Sequence, residues 1–388
     1  MLIKRPFWET IIEAAWQERN VIWLMGVRRV GKTSLCNSLE DITYFDCERP
    51  RVRQLLVDPE GFLEQQRGKR IVLDEIHTLD NPSEVLKLAA DHYPEVKIIA
   101  TGSSTLGASA KFRDTLTGRK REIYLTPLFL EEMALFGSAD LKHRFLFGGL
   151  PSFFAQHKLP ETDFSEWIDA YWAKDIAELF SVGRRSSFLK FTELLLAQSG
   201  GMFEATKFTI TCEVARSTIA NYLAILEETF VVSVVRPFST HKSTEIVAAP
   251  KVYGMDTGFV CFSKGWRELR AEDLGFMWEH CVLNEIQGHL QTRKVNYWRD
   301  KHGHEMDFVI QDRGQQSLTA IECKFTSMID DTTLSRIGKN FEAFRKLYPD
   351  GDNFVVSSNV DIPFNREYKG LSITFASMQE LIARIQKK

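Results

Sequence analysis

The chain has 388 residues, room for two to four domains at roughly 100–200 residues each. Apolar residues make up 44%, aromatics 12% and charged residues 26%, a mixture that argues against wholesale disorder or a fibrous chain. Lys and Arg number 49 against 52 Asp and Glu, for a net charge of −3, so a uniformly basic nucleic-acid coat is excluded and any such contact has to come from local patches. The six cysteines are scattered with no Cys-x-x-Cys, which argues against a disulfide framework or thiolate zinc site and fits a reducing cytoplasm. No apolar run reaches the ~18 residues of a membrane span, and Met1–Trp8 has no signal-like apolar core. A soluble, cytoplasmic protein without a membrane partner is expected.

In chain order, Phe7, Ile11, Ile12, Ala15 and Trp16 repeat at helical spacing, and VIWLM (Val21–Met25) reads as a buried strand. A Gly-containing loop follows, then a helix opening near Lys32. Further strands are expected at Ile71–Leu73, Lys97–Ala100 and Glu122–Leu125. Strands separated by helical stretches imply a parallel sheet covered on both faces. Pro127 to about Gly183 reads as mostly helical, broken by GGLP at Gly148–Pro151. Helices at Phe188–Gln198, near Glu204–Val214 and after Ser217 precede a strand at Val231–Phe238 and another ending near Val252, the content of a winged helix. The remainder reads as a separate αβ unit: a helix through Glu279 and Leu283, a hairpin (Val295–Arg299, Glu305–Ile310), a strand at Thr319–Phe325, a helix through Leu334, Ile337, Phe341 and Phe344, a strand at Asn353–Ser357 and a last helix through Met378 and Ile385.

Two constellations carry chemistry. Gly26-Val-Arg-Arg-Val-Gly31-Lys32-Thr33-Ser34 lies between a strand and a helix and matches G-x-x-x-x-G-K-[ST], whose glycines let backbone N–H groups turn toward phosphates. Lys32 is then expected on the β- and γ-phosphates and the Thr33 hydroxyl on Mg²⁺, with Arg29 and Ser34 lining the loop. Arg70-Ile-Val-Leu-Asp74-Glu75 ends an apolar strand in two acids: Asp74 for the Mg²⁺ shell, Glu75 to polarise the attacking water. ATP with Mg²⁺ is the expected cofactor. Ser103, in Thr101-Gly-Ser-Ser, is either a γ-phosphate sensor or a plain turn residue. Arg119, in Gly118-Arg-Lys-Arg, is either an arginine finger for a neighbouring subunit or part of a solvated basic loop.

The second constellation is Asp307 on the hairpin and Glu322-Cys-Lys324 on the next strand. Strand alternation puts Glu322 and Lys324 on one face and Ile321, Cys323 and Phe325 on the other, which is expected to pack inward. Asp307, Glu322 and, from the preceding helix, Glu279 are hard oxygen donors for Mg²⁺ or Mn²⁺, and Lys324 is placed to orient or deprotonate water at a phosphodiester. A plain salt bridge is the alternative for Glu322 and Lys324, and His302 and His304 read as solvated turn residues rather than ligands.

GVRRVGKTS, RIVLDEIH, TGSS, TGRKREIYLTPLFLEE and GGLP, followed by TIANYLAILEETFVV, PKVYGMDTGF, MWEHCVLNEI, YWRDKHGHEMDFVI and IECK, resemble as an ordered set the prokaryotic AAA+-like ATPases related to archaeal ATPases. The resemblance covers nearly the whole chain. It implies an α/β protein with a P-loop AAA+-like parallel-sheet core (1–135), a helical lid (136–185), a winged helix (186–255) and a C-terminal αβ domain similar to restriction endonucleases of the PD-(D/E)xK superfamily (256–388). In that superfamily's pattern Asp307 corresponds to the metal-binding Asp, Glu322 to the second acid, Lys324 to the catalytic lysine and Glu279 to the helix acid. Arg28 and Arg29 make this loop more basic than the motif requires. The expected activity is ATP-driven DNA processing with metal-dependent cleavage, on branched or forked DNA, by a homo-oligomer such as a ring or hexamer. The rival expectations are a nucleotide-switch regulator whose C-terminal domain only binds partners and a protein-remodelling ATPase of chaperone type.

Overall fold

Val21–Met25 contains no charged residue, and four of its five positions are buried, as a strand covered on both faces requires. A computed structural model of the chain describes residues 2–102, 115–177, 180, 182–240, 249–311, 317–326 and 330–387. The first five strands are β1 (Val21–Met25), β2 (Ile42–Asp46), β3 (Arg70–Asp74), β4 (Lys97–Thr101) and β5 (Lys120–Tyr124). They form one sheet in the order β2-β3-β4-β1-β5, parallel throughout. Within this sheet strand β2 is the element that apolar patterning did not reveal: it lies at the sheet edge and no residue of it is fully buried, so ITYFD shows no apolar run.

The chain divides into two compact units: 1–139 with 150–185 and 223–231, and 140–149 with 186–222 and 232–388. The first contains the parallel sheet, the helices Pro6–Glu18, Lys32–Ser38, Pro82–His92 and Glu161–Tyr171, and a π-helical turn at Trp172–Ile176. Its core gathers Trp23, Ile71, Leu73, Leu86, Ile98 and Ala100. The residues expected to form one lid, 136–185, are thus shared between units.

The second unit holds β6 (Gly201–Met202), β7 (Val232–Pro237), β8 (Lys251–Gly254), β9 (Asn296–Arg299), β10 (Glu305–Gln311), β11 (Leu318–Lys324), β12 (Asn353–Ser357), β13 (Phe364–Tyr368) and β14 (Leu371–Ala376). Their order is β13-β14-β12-β11-β10-β9-β7-β8-β6, and here β6, β13 and β14 are the strands that apolar patterning did not reveal. The expected hairpin is β9–β10, and antiparallel pairs predominate over the parallel contacts β11–β12, β12–β14 and β7–β9. Leu318, Ala320 and Val355 pack with Ile337, Phe341 and Phe344 of the helix Asp331–Leu347. By alternation this is the face that carries Glu322, while Ile321 and Cys323, buried as expected, lie on the other. Both faces of β11 are therefore covered, more than the expected single inward face.

Buried Arg345 ties the strands of this unit together. It donates to Leu318 O (2.9 Å), Asp350 O (2.8 Å), Asp352 O (2.6 Å), Tyr348 O (3.2 Å) and Asn353 Oδ1 (2.7 Å), fastening the starts of β11 and β12. Arg345→Met would strand those acceptors away from water, and hydrogen bonds to a charged group contribute about 1.5–3 kcal/mol. Urea unfolding should show a loss of at least about 2 kcal/mol; an unchanged midpoint would contradict this role.

Candidate functional site

The loop after β1 is shaped by two glycines. Gly26 has φ +148°, and a Cβ there would lie 2.4 Å from Leu125 O; Gly31 has φ +102° and caps the helix Lys32–Ser38. No L side chain fits Gly26 without moving the backbone at Leu125. Lys32 Nζ folds back to donate to Gly26 O (2.8 Å) and Val27 O (3.3 Å). Burial pulls this lysine below its usual range, against the opposing pull of Glu75, Asp175 and Asp74. Arg29 is itself left-handed (φ 63°) and its guanidinium lies 5.9 Å from the Phe153 ring centre, while Ser34 is exposed on the first turn.

Asp74, at the end of β3, is 4% exposed and accepts from three hydroxyls: Thr33 (3.0 Å), Tyr44 and Thr101. The register explains the convergence, because β3 pairs with β2 on one side and β4 on the other. Glu75 follows in a left-handed conformation (φ 52°) with its N–H on Thr101 Oγ1 (3.2 Å), and its carboxylate lies 3.1 Å from His77 Nδ1. Burial works to raise Glu75, but His77, Lys32 and Arg28 outweigh it and hold the carboxyl below its ordinary value. The Thr33–Asp74 pair presents hydroxyl and carboxylate oxygens, the donor types Mg²⁺ prefers.

Three further residues join this site. Asp175, on the π-helical turn, lies 3.3 Å from Arg28, and burial raises its carboxyl against the pull of Arg28 and Lys32. His77 and Tyr44 complete the set. Ser103 lies outside the described residues; the hydroxyl found at that strand end is Thr101. Arg119 stands at the entry end of β5, where Lys120 pairs with Val21, the far end of β1 from the loop. It pairs there with Asp91 (2.7 Å), so it does not reach the nucleotide centre of its own chain.

In the second unit, the β10–β11 register, continued one residue past Phe308–Ile321, sets Asp307 opposite Glu322. Asp307 lies within a β-bulge, where β10 gains one residue on β9 between Met306 and Val309; such bulges re-aim side chains. Asp307 Oδ2 accepts from Cys323 N (2.7 Å), and Lys324 Nζ lies 2.7 Å from Glu322 Oε1. Glu322 Oε2 is buried with no hydrogen-bond partner. Glu279, from the helix Ala271–Leu290, accepts from the Tyr253 hydroxyl and lies 3.5 Å from Lys251 Nζ, which also pairs with Glu305. Lys251, Tyr253 and Glu305 were not foreseen, because a lysine and a tyrosine opening a short strand carry no motif. His302 and His304 sit at the turn, His304 on Asp300 (2.8 Å), as expected of turn residues.

Burial and, after it, Glu279 lift Asp307 to about 6; burial and then Asp307 lift Glu322 to about 8. For Lys324 burial works downward, but Glu322 and Asp307 outweigh it and hold the ammonium above its usual range. An acid raised in the folded state holds a proton that the unfolded chain has lost, so it costs stability as pH climbs from the unfolded value toward the folded one. Without divalent ions, Glu322→Gln should therefore raise the melting temperature at pH 8 by at least about 2–4 °C, the shift that 1 kcal/mol produces in a domain of 150–250 residues, and change it little at pH 4. A lowered melting temperature at pH 8 would contradict the assignment. Gly26→Ala should cost nucleotide affinity at least tenfold, or about 1.4 kcal/mol, by displacing the loop; unchanged binding of a fluorescent ATP analogue would contradict that.

Successive segments of the chain match different known families. Residues 18–134 match an AAA domain, residues 138–270 a domain of unknown function (DUF8612) and residues 274–375 another (DUF4143). Uncharacterized proteins of Mycobacterium bovis and Mycobacterium tuberculosis are each 25% identical over 408 residues, covering 100% of this chain and 88% of theirs. Among solved structures, a signal transduction ATPase with numerous domains and a tetratricopeptide repeat sensor from Pyrococcus horikoshii matches with 12% identity and a TM-score of 0.29, over 72% of this chain and 45% of that one. The DNA clamp loader delta protein of Bacillus subtilis matches with 11% identity and a TM-score of 0.27, over 57% of this chain and 88% of that one. Among the described residues no helix is long and apolar enough to cross a membrane. Residues 18–134, which contain the Gly26–Thr33 loop, Asp74 and Glu75, are an AAA-type P-loop ATPase domain.

Proposed function

We propose that the chain is a DNA-processing enzyme in which ATP hydrolysis at Lys32, Thr33, Asp74 and Glu75 is coupled to phosphodiester cleavage at Asp307, Glu322 and Lys324. The observation that carries the cleavage half is the buried, unpartnered Glu322 Oε2 in a pair with Asp307. An orphaned carboxylate oxygen of this kind is costly unless something neutralises it, and Mg²⁺ is bound through one or two carboxylates with water completing its shell. The residues therefore fit a divalent ion. Bound there, such an ion supplies charge stabilisation at the phosphate. Lys324, held as a cation by Glu322 and Asp307, orients water and neutralises charge rather than taking a proton.

At the ATPase centre Glu75 is the water-polarising carboxylate, kept ionised by His77, Lys32 and Arg28. The three helices Arg185–Ala197, Thr206–Cys212 and Arg216–Glu228 with β6, β7 and β8, paired in the order β7-β8-β6, support a winged-helix reading. Arg216, Ser217, Thr218, Asn221 and Tyr222 open its third helix, the one that enters the major groove in such modules. Branched or forked DNA as substrate, and a homo-oligomeric ring in which Arg119 leaves Asp91 for a neighbour's nucleotide, complete the proposal.

One observation favours a second reading, a nucleotide switch whose C-terminal domain only binds a partner. Among the described residues no group of three or more His, Cys, Asp or Glu side chains is placed to hold a metal ion. Variants separate the two. Glu75→Gln should cut ATP turnover by at least about 10²-fold, in the range a positioned general base contributes, with nucleotide binding retained; unchanged turnover would remove Glu75 from its role. Asp307→Ala and Lys324→Ala should abolish cleavage of forked or four-way DNA while ATP turnover persists. Wild-type protein inert on linear, forked and four-way DNA with Mg²⁺ and with Mn²⁺ would leave the switch.

A further inference from the structure

Lys251 opens β8, outside the Asp307–Glu322–Lys324 motif, yet its ammonium is buried with a side-chain exposure of 9% and pairs with both Glu279 (3.5 Å) and Glu305. The Tyr253 hydroxyl, two residues on, holds the same Glu279 oxygen from the same face of the strand. One lysine and one hydroxyl thus occupy the carboxylates that flank Asp307, while Glu322 Oε2, in a side chain 8% exposed, is left without a partner. The cluster has two halves, one filled by a protein cation and one open.

We propose that Lys251 is the resident cation of a two-cation centre, so that the C-terminal site accepts a single divalent ion, at Asp307 and Glu322. This rests on the cleavage centre proposed above. The charges agree. Glu279, Glu305, Asp307 and Glu322 face Lys251 and Lys324, and Arg299 reaches Glu305 from the half-exposed rim at 3.7 Å. Arg299 stands half in solvent, and the four carboxylates, ionised once an ion is bound, exceed the two buried ammoniums by two charges, so one divalent ion neutralises the centre. A second would overshoot by two positive charges in a buried place, where unmatched charge is most costly; without the Lys251 charge the second leaves an excess of only one. Lys251 also joins β8 to the β9–β10 hairpin through Glu305, so the ion that completes the cluster is provided by the strand pair preceding the C-terminal domain.

The test counts Mn²⁺ bound to the full chain without nucleotide, by electron paramagnetic resonance of the free ion, with Glu322→Gln as the baseline that subtracts binding elsewhere. Wild type should bind one ion more than Glu322→Gln. Lys251→Met, which keeps the buried stem and removes the charge, should bind two more than Glu322→Gln, and should keep one of these when combined with Glu322→Gln. Lys251→Gln, which retains a hydrogen-bond donor if the methionine variant fails to fold, should do the same, and Lys251→Arg should stay at one. Two ions already on wild type, or one ion on the folded charge-deleted variants, would overturn the role of Lys251 while leaving the cleavage centre standing. No difference between wild type and Glu322→Gln would overturn the cleavage centre itself.

Discussion

A carboxylate taken out of water must find donors or cations, because the desolvation it suffers amounts to several kcal/mol even after the surroundings relax. The two centres of this chain meet that constraint in opposite ways. Asp74 is encircled by the hydroxyls of Thr33, Tyr44 and Thr101, delivered by a helix start and two neighbouring strands. Its oxygens are satisfied and its position is fixed before any ligand arrives. Glu322 keeps one oxygen on Lys324 and leaves the other with no partner. The first carboxylate is held by protein hydroxyls alone; the second shares one oxygen with a lysine.

The same contrast appears in the backbones that carry them. Both centres depend on local departures from regular structure: left-handed Gly31 and Glu75 around the nucleotide loop, and a bulge at Asp307. Strained or irregular positions persist where the surrounding structure over-determines them. Around Glu75 that support is the Thr101 hydroxyl and the parallel register of β3 with β4. Around Asp307 it is Cys323 N and the β11–β12 ladder fastened by Arg345. Asp175 adds a feature of its own, a buried acid on a π-helical turn beside the loop arginine, and such turns occur often at functional sites.

Much of this was legible in the residues, and the rest was hidden for identifiable reasons. Strands β1, β3 and β4 are uninterrupted apolar runs ending at chemistry, so VIWLM before the glycine loop and RIVLDE before the acids declare themselves. The β9–β10 hairpin and β11 show through their alternation. Edge strand β2 does not, because ITYFD mixes polar and apolar positions at a half-covered edge, and with it went Tyr44 and its bond to Asp74. Asp175 is far from the loop in sequence and meets Arg28 only through tertiary packing. Lys251 and Tyr253 belong to a four-residue strand with no motif, and they meet Glu279 of the helix Ala271–Leu290 and Glu305 of β10 only through the tertiary fold. Pairwise spacing along one strand predicts Glu322 with Lys324; it cannot predict partners contributed by another sheet element.

We infer that a triphosphate-hydrolysing domain and a divalent-ion-dependent scission centre share one chain and act together. This is tested most directly by following end-labelled forked duplex DNA with the full protein and Mg²⁺, with ATP in one reaction and a non-hydrolysable analogue in the other. Discrete cut products are expected with ATP, fewer with the analogue and none after chelation of the divalent ion. Intact DNA in the ATP reaction, while that ATP is hydrolysed, would contradict it.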